Sequence, residues 1–70
     1  MLDREKFSLR ELRSMANISQ EELGKAVDLS GRTIAAYEKD TRYFARNVSY
    51  ETLKKIAEVL DVSVDNIFLD

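Results

Sequence analysis

An all-α fold, a compact bundle of five short helices, is predicted by three features of this 70-residue sequence. A frame of apolar residue, serine, three residues and a second apolar residue occurs five times. Apolar residues recur at three- and four-residue spacing, most clearly at Leu53, Ile56, Ala57 and Leu60. No stretch alternates at period two for long enough to make a strand.

The frame occurs as Phe7-Ser8…Leu12, Ile18-Ser19…Leu23, Leu29-Ser30…Ile34, Val48-Ser49…Leu53 and Val62-Ser63…Ile67; of the six serines only Ser14 stands outside it. A serine hydroxyl in this position accepts a hydrogen bond from an unpaired amide of the first helical turn. The flanking apolar pair closes over the turn as a hydrophobic staple. Glu11 and Glu22 stand three residues after Ser8 and Ser19, which completes a capping box at each. Helices are therefore expected to start near residues 9, 20, 31, 50 and 64. The spacing sets their lengths at about 8, 8, 10, 12 and 6 residues. Leu9, Leu12 and Ala16 line one face of the first, Leu23, Ala26 and Val27 of the second, and Ile34 with Tyr37 of the third. The stretch DTRYFARNV, residues 40–48, is the only sizeable loop expected. With no proline, linker or low-complexity segment, residues 1–70 are expected to form one domain, a short arm (1–7) followed by a helical core (8–69).

Composition narrows the chemistry. Neither cysteine nor histidine is present, so disulfides, thiolate metal sites and the commonest catalytic base and metal ligand are all missing. The carboxylates do not form a calcium-binding loop pattern. No metal, cofactor or catalytic residue is expected, and the chain is not expected to be an enzyme. No apolar run approaches the roughly 18 residues of a membrane span, and the charged start MLDREK is unlike a signal peptide. A cytoplasmic protein is expected.

The net charge of −2 argues at first against a nucleic-acid partner. Its distribution argues differently. Residues 39–55 hold Lys39, Arg42, Arg46, Lys54 and Lys55 against Asp40 and Glu51, whereas residues 56–70 hold four acids and no base. A phosphate surface responds to the local field, not to the total.

The second and third serines lie eleven residues apart, leaving only Val27, Asp28 and Leu29 between two short helices. So short a link forces a steep crossing, a helix-turn-helix. Gly24 supplies the small residue such a crossing needs, and Asp28 the residue tolerant of left-handed backbone. A tight helix pair of this kind also occurs in bundles that never touch DNA. The segments LRELRSMANISQEELGKAVDLSGRTIAAYEK and YETLKKIAEVLDVSVDNIF, however, closely resemble the phage Cro and repressor type of helix-turn-helix domain, the xenobiotic-response-element family. The resemblance covers residues 8–69. It departs from the family at Gly24, where alanine is usual, at Asp28, where glycine is usual, and in a longer link after Glu38.

The resemblance implies that a recognition helix at about 31–39 enters the major groove and reads bases with Gly31, Arg32, Thr33 and Ala36. An Arg32 guanidinium can take guanine O6 and N7 together, or can rest on a phosphate instead; Ala36 can meet a thymine methyl. Phosphate contacts are implied for Gln20, Ser30, Lys39, Arg42 and Arg46. Arg13 and Glu38 match a pair that joins the first helix to the end of the third in many relatives. Tyr43 and Phe44, two aromatics in a polar loop, are either a lid on the core or an interface with another protein.

Two functions compete. The first is a sequence-specific transcription regulator of Cro or repressor type, binding double-stranded DNA at a pseudo-palindromic operator. It would act as a homodimer that assembles largely on DNA, through the 40–48 loop and the last two helices. With no sensor segment in these residues, control is expected to come from protein amount, a competing repressor or a partner. The second is an antirepressor or co-repressor that keeps the fold but binds a second regulator protein, as the acidic total, the sparse Gly31/Ala35/Ala36 face and the aromatic loop suggest.

Overall fold

In the computed structural model, which describes residues 5–69, all five frame serines cap a helical turn. Their hydroxyls accept from first-turn amides at 3.0–3.2 Å. The Glu11 and Glu22 carboxylates accept in return from the amides of Ser8 and Ser19, at 2.9 and 2.7 Å. The resulting α-helices are α1 (Leu9–Ala16), α2 (Gln20–Ala26), α3 (Gly31–Lys39), α4 (Thr41–Asn47) and α5 (Tyr50–Val59). Among the described residues the fold is all-α. No helix there is long and apolar enough to cross a membrane.

Two expectations are corrected. The stretch 40–48 is not a loop but carries α4. Asp40 caps it, its Oδ1 accepting from the amides of Arg42 and Tyr43 at 3.0 and 3.2 Å. The residue before the cap is Lys39, so the apolar half of the staple is missing and the frame did not mark this start. At the other end, Ser63 does not open a six-residue helix. It caps a single 3-10 turn, Val64–Asn66. The chain leaves that turn extended at Ile67 because Ile67 pairs with Phe7. The Phe7 amide donates to Asn66 O and the Phe68 amide to Phe7 O, both at 2.8 Å. This tie to the opposite end of the chain competes with a further helical turn and prevails.

The core gathers one apolar face from every helix. Leu23 of α2, Ile34 of α3 and Ile56 of α5 have no exposed surface at all. Phe44 brings in α4; it is buried, with its ring centroid 4.8 Å from that of Tyr37. Phe44 therefore cannot serve as an interface residue. Adjacent residues on a helix project about 100° apart, so the burial of Phe44 leaves Tyr43 half-exposed against the rim of Tyr37.

The α2–α3 crossing depends on Gly24. The Leu29 amide donates to Gly24 O at 2.7 Å. A Cβ on Gly24 would stand 2.6 Å from Leu29 O and 3.0 Å from the Ser30 carbonyl carbon, both backbone atoms that cannot swing aside. Asp28 holds the intervening turn in the left-handed region at φ 62°. Alanine is favoured over glycine by roughly 1 kcal/mol inside a helix, but an overpacked contact typically costs about 1–3 kcal/mol. Gly24→Ala should therefore lower the melting temperature by several degrees. An unchanged or raised melting temperature would show that the two helices can part without penalty.

Candidate nucleic-acid interface

Arg13 holds α1, the α1–α2 link and α3 together. Its Nε donates to Glu38 Oε2 at 2.6 Å and its Nη2 to Glu38 Oε1 at 3.2 Å, a two-pronged contact. Nη1 donates to the carbonyl of Ile18 at 2.7 Å. The Glu38 side chain is only 5% exposed and that of Arg13 16%. The hydrogen bond to Glu38 raises the Arg13 pKa above its ordinary value, against a smaller opposing effect of burial. By linkage, this contribution of the guanidinium is lost as pH rises through its raised folded-state pKa, and it exists only while Glu38 is ionised.

Glu38 also receives α2. Gln20 Nε2 donates to Glu38 Oε1 at 3.0 Å, so one carboxylate collects bonds from two other helices. Gln20, read from the sequence as a phosphate contact, is thus fixed from below rather than loose on the surface. An open recess of about 350 Å³ lies there, lined by Arg10, Arg13, Gln20, Ala35, Glu38 and Lys39.

The outer face of α3 begins at Gly31, which packs against Glu21 of α2; a Cβ there would stand 2.9 Å from Glu21 Cγ. Glu21 thereby brings an acidic residue to the start of α3. Ser30 is occupied as the cap, and its Oγ also meets Thr33 Oγ1 at 3.0 Å, so both hydroxyls are engaged locally. Arg32 is exposed in the first turn. Arg32, Ala36 and Lys39 share a face by their spacing of four and three residues. Ala36, Lys39 and Tyr43 border a second recess, with Asp40, of about 370 Å³.

Arg42 and Arg46 are exposed one turn apart on α4, a helix where a loop was expected. The structure thus brings Gln20 and Lys39 to one recess and sets Arg32 and Ala36 beside Lys39. Phe44 is withdrawn into the core. Arg10 was missed, although it stands three residues before Arg13 and so on the same side of α1.

Between residues 30 and 50 the only acids are Glu38, which is paired with Arg13, and Asp40, which caps α4 and stays exposed. Arg32, Lys39, Arg42 and Arg46 have no ion-pair partner among the described residues. This surface is cationic although the whole chain is acidic.

Loss of one partner from a buried pair leaves the other charge uncompensated, at a cost of up to roughly 3–5 kcal/mol. Arg13→Met and Glu38→Met should each lower stability more than the double change does, measured by urea unfolding. A cycle with no coupling would show that the contact contributes nothing specific.

A family model described as helix-turn-helix matches residues 9–67. No curated protein and no solved structure matches the chain. With α2 and α3 locked in a tight crossing, and the matched segment running from the start of α1 to the Phe7–Ile67 tie, the chain belongs to the Cro/repressor-type helix-turn-helix family of DNA-binding regulators.

Proposed function

We propose that the protein is a sequence-specific regulator that binds a pseudo-palindromic operator as a homodimer, with α3 as its recognition helix. The observation that carries this reading is the cationic surface of residues 30–50, where Glu38 is paired with Arg13 and Arg32, Lys39, Arg42 and Arg46 outnumber the one remaining acid, Asp40. In this reading Arg32 takes a guanine edge and Ala36 meets a thymine methyl. Gly31 and Thr33 add backbone proximity at the start of the helix. Ser30, Gln20, Lys39, Arg42 and Arg46 face phosphates and set orientation. The two subunits meet around Tyr43 of α4 and Tyr50 at the start of α5, which is 69% exposed. The half-sites then lie about one helical turn apart, roughly 34–36 Å.

A second reading keeps the fold and replaces DNA with another regulator protein. It is favoured by the small, apolar Ala36 beside exposed Tyr43 and by Glu21 against the start of α3. The two readings differ in their salt response and in what Arg32 does.

A guanine contact is worth roughly 1–3 kcal/mol of discrimination. Arg32→Ala should therefore flatten preference at one or two operator positions. Arg46→Ala should weaken binding to all sequences alike and lower the salt slope by about one. A wild-type protein with no preference among duplexes at low salt, yet in stable complex with a second helix-turn-helix regulator, would replace the first reading with the second.

A further inference from the structure

We infer that Arg10, Gln20 and Lys39 form one phosphate clamp for the duplex backbone, with Glu38 as the residue that positions Gln20. This rests on the DNA-binding reading above and adds to it a residue, Arg10, and a geometry. The three side chains come from three helices, α1, α2 and α3, and line the same open recess of about 350 Å³. Its floor is the Arg13–Glu38 pair, in which the two charges cancel. The net charge of the lining is therefore that of Arg10 and Lys39, two exposed cations with no ion-pair partner among the described residues.

The orientation of Gln20 gives the recess its directionality. A side-chain amide nitrogen has two hydrogens to donate. One goes to Glu38 Oε1 at 3.0 Å, which fixes which end of the amide is nitrogen. The second has no acceptor among the described residues. An amide fixed in this way offers a donor, not its carbonyl, to a phosphate oxygen in the recess. Without Glu38 the amide could turn over and present an acceptor to an anion. Arg13 acts one step further back: its two prongs leave the Glu38 carboxylate a single orientation, with Oε1 toward Gln20. The pair that joins α1 to α3 thereby also aims the phosphate contact of α2.

Arg10→Gln isolates the clamp from the fold, because Arg10 is exposed and its loss strands no buried charge. Affinity for a duplex would be measured across a salt series for wild type, Arg10→Gln and Arg10→Lys. In parallel, the Gln20 side-chain amide protons would be followed by NMR as inorganic phosphate, then duplex, is added. The clamp predicts an unchanged melting temperature and, in Arg10→Gln, a salt slope lower by about 0.9 on every sequence. Arg10→Lys should restore the slope, and one Gln20 amide proton should shift on adding duplex. If wild type binds duplex while Arg10→Gln keeps the wild-type slope and affinity, the clamp is wrong and the function stands. If wild type binds no duplex but phosphate moves the Gln20 amide, the recess takes free anions; the backbone assignment and the proposed function then both fall.

Discussion

One guanidinium holds the arrangement of the first three helices. Arg13 spends its Nε and Nη2 on Glu38 and its Nη1 on the Ile18 carbonyl, so it fixes α1 against both the start of the α2 segment and the end of α3. A buried ion pair of this kind adds little net stability over well-packed apolar residues, but losing one partner is expensive. Its consequence here is geometric. Glu38 sits one residue before Lys39, so the end of α3 cannot rotate without breaking three hydrogen bonds to Glu38. The outward face of α3 is set by what its inward carboxylate must do.

A second constraint acts at the other end of α3. Gly24 brings the backbone of α2 under Leu29 and Ser30, and Asp28 accepts left-handed geometry to make the turn. Ser30 then starts α3 where that turn ends. Between the close approach at Gly24 and the charged contact at Glu38, both ends of α3 are fixed to α2 and α1. Interfaces that read DNA need this rigidity, since side chains carried on a fixed helix lose less freedom on binding than those on a loop. The same holds for α4, whose Asp40 cap converts Arg42 and Arg46 from loop charges into a helical pair.

Much of this was legible in the sequence because capping is local. A serine, its staple and its glutamate lie within five residues of one another, so each start could be placed from the chain alone. α4 escaped because Asp40 follows Lys39, with no apolar residue before the cap to mark it. The Val64–Asn66 turn was over-extended for a non-local reason: Phe7 at the far end of the chain takes Ile67 into an extended pairing. Tyr43 and Phe44 could not be separated without knowing that they lie on a helix, which must send neighbours in different directions. At the candidate interface, Arg32, Lys39, Arg42 and Arg46 were legible as types and positions. Arg10 was not, since an exposed arginine on α1 looks like any solvated charge until the recess beside Gln20 is seen. The local excess of bases over residues 39–55 was legible despite the acidic total, but the pairing of Glu38 with Arg13 joins residues 25 positions apart and is visible only in the fold.

In the proposed function, a cationic α3 surface held at both ends reads duplex sequence in a chain that is acidic overall. Selection of bound sequences from random duplex DNA by the wild-type protein, at a low and a moderate salt concentration, tests it most directly. Enrichment of one recurring pattern containing guanine is expected, repeated with two-fold symmetry about one helical turn apart. The pattern should be the same at both salt concentrations, with affinity lower at the higher one. A bound pool indistinguishable from the input at both concentrations would contradict it.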